Sequence, residues 1–434
     1  MFSSAVISNE RQARDVASSI EQISSALSSE QVLKAIVGGL PREVIEGVRR
    51  SLIYERRELV ATLESYQAAK SGDCAPMKQR AGDDPGALLI VARIVRGWSQ
   101  KELARKLGLK EQAIQRYEAE RYRSISLSNL LRVARALSVD LSAEISSPRE
   151  AYWVPPMPSS AEVQKALKHA RDNEWIQSSE VAVDDGGLSQ LTRYIAEHVE
   201  VHGTPSLLRT GLNVVDHSGD WMLLSWKAQV TQRAKAVISK HKVKYRTLDV
   251  SWLMDLVRLS SVEDGPIQAV RLLLQHGIIL VVERQIPGMA VDGAAFLVDD
   301  VPVIGMTLRR DSLDNFWFTL MHEVAHVILH YRTGLSAGFF DDAEAAHVDE
   351  IEAEANAFAG SLLIPEEIWS RSPARITKSA EPVERLATQL GISPAIIFGR
   401  IRMERKNFAI FSNKIGREKV RKQFLSSSNN GLPS

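Results

Sequence analysis

The sequence predicts an α+β protein of several domains: an N-terminal helical segment, a second helical bundle, and a mainly helical C-terminal domain with a small β-sheet. Apolar residues recur at helical spacing through residues 1–66, whereas short strand-like runs are confined to residues 276–304. A chain of 434 residues, 44% hydrophobic and 25% charged, has room for about three domains with their own cores.

Residues 1–66 are predicted to form a helical hairpin or small bundle. Their apolar positions at helical spacing include Val16, Ile20, Ile23, Leu27, Val32, Leu33, Ile36, Val44, Ile45, Val48 and Leu52. The opening residues 7–12, Ile-Ser-Asn-Glu-Arg-Gln, resemble the leading helices of HigA-type antitoxins. Residues 68–86, rich in Ala, Lys, Ser, Gly, Asp and Pro, are predicted to be a linker.

Residues 85–145 carry a pattern of short helices separated by tight breaks. An apolar helical stretch at 88–95 is followed by a glycine and an N-capping serine, and residues 100–109 are predicted as a short helix closed by glycine. Further helical patterns follow at 111–118 and 127–137. This order resembles a helix-turn-helix of the phage-repressor (XRE) type. Its predicted core residues are Ala104, Leu107, Ile114 and Tyr117.

The resemblance implies binding to double-stranded DNA, because the second helix of such a motif enters the major groove with its N-terminal residues leading. The predicted contacts to base edges and phosphates are Lys110, Gln112, Ala113, Gln115 and Arg116, with Gln100 as a further phosphate contact. Lys and Arg exceed Asp and Glu in this segment, although the whole chain has a net charge of only +1. A local excess fits a duplex-binding face. A basic bundle that binds protein or dimerises would carry it as well.

A proline-rich segment at 146–160 is predicted to be a second linker. Residues 161–264 are predicted to form a mixed connecting domain of unknown role. Its Trp221 and Trp226 are interpreted as core residues rather than recognition residues.

The motif His322-Glu323-Val324-Ala325-His326 lies within an apolar run. Two imidazoles four residues apart lie on one face of a helix, where both can bind one zinc ion. The glutamate between them suits a general base that deprotonates a water molecule held by the ion. The motif therefore predicts a zinc hydrolase, in which Glu323 is the catalytic residue.

A third zinc ligand is expected on a second helix that ends near Pro365. Glu352 continues the apolar stripe of this helix at helical spacing and is the predicted ligand, together with His322 and His326. Glu354, displaced by two residues, is the alternative. His330 lies one turn beyond His326, but three histidines on one straight helix span about 12 Å and cannot converge on one ion.

These motifs, together with the order Glu352-x-x-Ala-Asn-x-Phe-Ala-x-x-Leu-Leu-x-Pro, resemble the ImmA/IrrE family of zinc-dependent metallo-endopeptidases. The strand-like runs upstream match the small sheet of that family. The resemblance implies a zincin-like domain at residues 265–405 that cuts a protein partner at a single site. Residues 406–434 are predicted to be a basic, partly disordered tail, with disorder from residue 426 onward.

Two functions are consistent with these features. In the first, the chain is a DNA-bound regulator whose zinc site cleaves a repressor, an antitoxin or another regulatory protein. In the second, it is a repressor or antitoxin whose zinc site is structural or senses a ligand, without proteolysis. Glu323 favours the first, because a structural zinc site needs no base beside the metal. Repressor-type modules bind as dimers on two half-sites, which makes a homodimer a further expectation.

Composition excludes other classes of protein. No window of 18 apolar residues indicates a membrane span, and the first twenty residues lack the apolar core of a secretion signal. Cys74 is the single cysteine, so disulfides and thiolate zinc sites are excluded within one chain. A cytoplasmic protein without a membrane partner is expected.

Overall fold

The computed structural model describes residues 6–82, 84–122, 125–141, 160–176, 188–199, 207–210, 221–331, 335 and 345–426. The chain divides into an N-terminal unit of residues 2–33 and 52–150 and a C-terminal unit of residues 34–51 and 151–434. The predicted α+β multidomain class is confirmed. Among the residues described, no helix is both long enough and apolar enough to cross a membrane.

The first 141 residues are helical where they are described. The helices are α1 (Glu10–Ser28), α2 (Glu30–Val37), α3 (Arg42–Lys70), α4 (Ala75–Ala81), α5 (Pro85–Val95), α6 (Gln100–Leu107), α7 (Glu111–Ala119) and α8 (Leu127–Ala136). The segment predicted as a linker at 68–86 instead contains α4, because the buried Met77 anchors it despite its polar composition. The other predicted linker, 146–160, lies outside the described residues except for Ser160.

The helices α5 to α8 adopt the predicted helix-turn-helix order. Ser99 caps α6 through a reciprocal capping box with Glu102, and Gly108 ends that helix with a left-handed φ of 65°. Of the predicted core residues, Ala104, Leu107 and Ile114 are buried. Tyr117 is only partly buried, because the interior position beside it is taken by the carboxylate of Glu118.

The C-terminal unit is built around a four-stranded sheet. The next elements along the chain are α9 (Ser160–Asp172), α10 (Leu188–His198), β1 (Leu207–Thr210), α11 (Trp221–Lys240), α12 (Leu253–Arg258), α13 (Gly265–Gln275), β2 (Ile279–Val282), β3 (Val291–Val298) and β4 (Val301–Met306). The strand order is β1-β3-β4-β2. β4 pairs antiparallel with β3 and parallel with β2, and β1 pairs antiparallel with β3.

Every residue of β2, β3 and β4 is buried, since helices cover both faces of the sheet. α11 packs on one face, where Trp226 lies so close to Gly305 of β4 that a Cβ there would meet its ring at 2.6 Å. Residues of α9, α10 and α11 share one apolar cluster with β2, β3 and β4. The segment 161–264, predicted as a separate connecting domain, therefore belongs to the same unit as the sheet.

The remaining helices are α14 (Leu313–Leu329), α15 (Ala345–Leu363), α16 (Glu366–Trp369), α17 (Glu381–Leu390), α18 (Pro394–Glu404) and α19 (Arg421–Ser426). Two 3-10 turns lie at Leu259–Ser261 and Pro373–Arg375. α14 packs against β3, α15 and α18. Ile415, Val420 and Phe424 are buried, so the predicted tail packs on the unit through that point. The disorder predicted from residue 426 lies outside the described residues beyond Ser426.

Candidate active site

The two motif histidines lie on one face of α14 and are both fully buried. Their Nε2 atoms are 3.0 Å apart, and the rings are nearly perpendicular, with an interplanar angle of 81°. A spacing of four residues on an α-helix produces this arrangement. Both ring nitrogens therefore point at one small volume between α14 and its neighbours.

Glu352 of α15 faces the same volume. Its Oε2 lies 3.2 Å from Nε2 of His322, and its Oε1 lies 3.3 Å from Nε2 of His326. Donor atoms around a tetrahedral zinc ion, bound at about 2.0–2.1 Å, are about 3.3 Å apart. The three side chains form the cluster that could hold a metal ion among the described residues, and their separations fit zinc.

Glu323 is buried between α14 and the sheet. A Cβ built on Gly293 of β3 would lie 2.9 Å from Oε1 of Glu323 and 2.9 Å from Cγ2 of Thr319. Only glycine leaves room for the carboxylate at this point of the strand. Sequence reasoning missed Gly293, because its importance depends on how β3 and α14 pack, which no local pattern shows.

The ring nitrogens that face away from the cluster have partners as well. Nδ1 of His322 lies 3.1 Å from Oδ1 of Asn356, and Nδ1 of His326 lies 3.1 Å from Nδ1 of His330. Such outer hydrogen bonds fix the tautomer and the orientation of a metal-binding histidine. Asn356 was not predicted. Its position on α15, four residues after Glu352, is the signal that could have identified it.

Asn356 and His330 form an outer layer of residues around the cluster, and Glu354, the alternative ligand, belongs to it as well. Its Oε2 lies 3.2 Å from Nε2 of His330, and its Oε1 accepts a hydrogen bond of 3.2 Å from Arg50 of α3. His326, His330, Glu354 and Arg50 thus form a chain that leads from the cluster to the protein surface. The structure brings Glu352, rather than Glu354, to the two imidazoles of the motif.

Burial and hydrogen bonding set the charges of these groups. Burial lowers the pKa of His326 to about 4, and burial followed by the neighbouring His326 lowers the pKa of His330 to about 4. Burial opposes the ionisation of Glu352, but hydrogen bonds with His322 and His326 outweigh it and lower its pKa to about 2. Near neutral pH His326 is therefore neutral and Glu352 is ionised, the forms in which these side chains bind a metal.

Tyr331 and His347 are near the motif in the sequence and have side chains that could stabilise negative charge on a reacting carbonyl. The hydroxyl of the buried Tyr331 donates a hydrogen bond of 3.1 Å to the carbonyl of Asp300. The side chain of His347 lies outside the described residues. The structure therefore assigns to neither residue a role in stabilising negative charge on a reacting carbonyl.

The predicted DNA contacts lie along α7, from its N-cap to its last turn, except for Gln100 at the start of α6. Lys110 is the N-cap residue of α7, and Lys110, Gln112, Gln115 and Arg116 are exposed, while Ala113 is half-buried. Gln115 donates a hydrogen bond of 3.1 Å to Glu111. Gln100 is half-buried, and its amide donates a 2.8 Å hydrogen bond to Glu118. Five of the six predicted side chains thus lie on or next to α7. The sixth, Gln100, contacts α7 through its hydrogen bond to Glu118.

A buried ion pair, absent from the sequence prediction, holds α7 against α5. Nε and Nη2 of Arg93 donate to the two carboxylate oxygens of Glu118 at 2.5 and 2.7 Å. The same guanidinium donates to the carbonyls of Trp98 and Ser8 at 2.7 and 2.5 Å. Both side chains are almost completely buried, and all four residues belong to the N-terminal unit. The pair fixes the rotation of α7 and hence the face that it exposes.

Comparison with known proteins matches two regions of the chain. The family profile of the IrrE N-terminal-like domain, peptidase M78, matches residues 275–402, which include the histidine motif and Glu352. A helix-turn-helix profile matches residues 92–143. Neither the curated proteins nor the solved structures gave a match. The chain therefore contains a helix-turn-helix region and, over residues 275–402, a metallopeptidase-like region similar to the IrrE N-terminal-like domain.

Proposed function

We propose that this protein is a DNA-binding transcriptional regulator that carries a zinc-dependent endopeptidase site. The observation that carries the proposal is Glu323, a buried carboxylate on α14 between the two histidines that form a cluster with Glu352. Two histidines, a glutamate and an open fourth position are a donor set of catalytic zinc sites.

Each side chain has a distinct role in this proposal. His322, His326 and Glu352 would hold zinc, which when bound supplies a Lewis acid that lowers the pKa of water toward neutrality. Glu323 accepts the proton of the attacking water and passes it to the leaving amine. The close approach of Gly293 limits the positions open to the carboxylate of Glu323, which favours proton transfer at one place.

The helix-turn-helix domain would place the protein on a double-stranded operator. Exposed Gln112 in the first turn of α7 and exposed Arg116 in its last turn are the proposed readers of base edges, with Lys110, Ala113 and Gln115 beside them and Gln100 directed at phosphate. Binding to two half-sites would make the protein a homodimer on DNA.

The proposed substrate is another regulatory protein, such as a repressor or an antitoxin. A DNA-binding domain in the same chain favours a substrate that acts at promoters, because both proteins are then concentrated at the same place. The second candidate function, a repressor or antitoxin with a structural or sensory zinc site, requires no base. Structural zinc sites are closed by four protein ligands, whereas the cluster in the described residues has three.

A comparison of two proteins tests the proposal. The zinc-loaded chain and its Glu323→Gln variant are each incubated with the proteins encoded beside it, and new N-termini are identified by mass spectrometry. We expect one new terminus with the parent and none with the variant, which keeps its zinc and its DNA binding. A variant that regulates its promoter and the abundance of its partner like the parent would favour the non-proteolytic function.

A further inference from the structure

β1 lies at the edge of the sheet, beside the strand that contacts the candidate base. Leu207 is opposite Ala295, Leu208 is opposite Ala294 and Thr210 is opposite Val291. Gly293, which lies against Glu323, falls between these paired positions. β1 also lies within contact distance of α14. The edge strand therefore passes β3 at the level of the carboxylate that the proposed reaction uses.

The two edges of β3 are not equivalent. One edge is paired with β4 over residues 293–298, and β2 lies beyond β4 in the same sheet. The other edge is the one that β1 covers. An extended polypeptide that adds to this sheet next to Glu323 can form main-chain hydrogen bonds only with that second edge. Within the described part of the chain, β1 holds the position that such a peptide needs.

β1 is also an addition to the domain that carries the cluster. The matched IrrE N-terminal-like region begins at residue 275, whereas β1 ends at Thr210 and is followed by α11 before β2 begins. The strands β2, β3 and β4 and the cluster all lie inside the matched region. The segment that covers the edge of β3 thus comes from outside the metallopeptidase-like domain.

We propose that β1 occupies, in the free protein, the edge of β3 with which an extended substrate segment would pair. β1 then limits cleavage until it leaves the edge of the sheet. This inference rests on the proposed endopeptidase function. It adds a strand of the same chain that competes with the substrate.

Two zinc-binding probes of different length test the competition on the zinc-loaded full chain. Acetohydroxamate needs only the metal, whereas N-acetyl-leucyl-leucyl hydroxamate also needs the edge of β3. The variant Leu208→Pro/Arg209→Pro removes two successive amide N–H groups, at least one of which faces β3, since successive amides of a strand alternate between its edges. The matched control Leu208→Ala/Arg209→Ala keeps both amides.

We expect the proline variant to bind the dipeptidyl hydroxamate about tenfold more tightly or better than the parent and the alanine control, because a larger fraction of the protein has a free edge. Acetohydroxamate should bind all three proteins equally. Equal binding of the dipeptidyl probe to all three proteins would overturn the inference. If acetohydroxamate binds none of them, the proposed zinc site is wrong and the inference fails with it.

Hydrogen exchange of the parent protein gives a test without any substitution. With the dipeptidyl hydroxamate bound, the amides of residues 207–210 should exchange faster, while those of β3 stay protected by the peptide. Acetohydroxamate should leave both segments as they are in the zinc-loaded protein. Unchanged protection of 207–210 in the presence of bound dipeptidyl probe would show that β1 and the peptide do not compete.

Discussion

Gly293 of β3 lies so close to Glu323 of α14 that a Cβ on the glycine would approach the carboxylate oxygen Oε1 to 2.9 Å. Real Cβ atoms essentially never come so close to another heavy atom, so any other residue at this position must displace the glutamate or the strand. The proposed base is therefore placed by a backbone position in the sheet as much as by its own helix.

Gly293→Ala is expected to lower cleavage of the partner protein about a hundredfold, because a displacement of about 1 Å at a reacting group has effects of that size. Zinc should stay bound, since the atoms nearest to the added Cβ belong to Glu323 and Thr319, which are not proposed ligands. The matched control is Gly360→Ala on α15, where an added Cβ meets no atom within 4 Å. It should leave cleavage unchanged and stabilise the helix by up to about 1 kcal/mol. Equal activities of the two variants would contradict the proposed placement.

The roles of the two glutamates on α15 can be separated by metal analysis. Purified protein should contain about one zinc ion per chain. Glu352→Ala, His322→Ala and His326→Ala should each lose it, whereas Glu354→Ala should retain it at saturating zinc, because Glu354 contacts His330 rather than the cluster. Zinc retained by Glu352→Ala and lost from Glu354→Ala would reverse the assignment.

The outer layer is expected to tune the affinity for zinc. His330→Ala removes the partner of Nδ1 of His326, and zinc affinity measured against a competing chelator should fall about 10- to 100-fold. His330→Gln, which retains a hydrogen-bonding group, should recover part of the loss. An affinity equal to that of the parent in both variants would show that His330 only fills space.

Local patterns predicted much of this site and missed what depends on tertiary packing. The spacing of His322 and His326 and the helical phase of Glu352 follow from helix geometry, so they could be predicted from a single segment. Gly293 could not, because a residue of β3 gains its role only when the sheet packs on α14. The same holds for Glu118, a charged residue to which the sequence assigned no role, which is buried because Arg93 from another helix neutralises it.

Substitutions on α7 should separate DNA binding from the zinc site. Gln112→Ala and Arg116→Ala remove exposed side chains and are each expected to weaken specific operator binding by about 1–3 kcal/mol without changing zinc content. The operator is first identified by selection from random duplexes. Lys78→Ala, on the exposed side of α4, is the control and should bind like the parent. If a protein lacking residues 85–145 binds the same operator equally well, the helix-turn-helix assignment is wrong.

Acid is expected to destabilise the metal-free C-terminal unit in a defined pH window. The pKa of His326 is about 4 in the folded protein against an ordinary value of 6.5, so the unfolded chain takes up the proton first as the pH falls. The contribution of His326 to the free energy of unfolding is fully present above pH 6.5 and is lost as the pH falls to about 4. This contribution is on the order of 3 kcal/mol. Glu352 has a pKa of about 2 in the folded protein against an ordinary value of 4.5. Its contribution to the free energy of unfolding is therefore also lost as the pH falls below 4.5.

Urea unfolding of chelator-treated protein at a series of pH values measures this dependence through tryptophan fluorescence, since every tryptophan except Trp98 belongs to the C-terminal unit. The unfolding free energy should fall steadily from pH 7 to pH 5. The decline should be shallower in His326→Leu, which lacks the titrating group. Zinc should shift the decline of the parent to lower pH, because bound metal keeps the imidazoles deprotonated. A free energy that stays constant from pH 7 to pH 5 in the metal-free parent would mean that its histidines titrate alike in the folded and unfolded states.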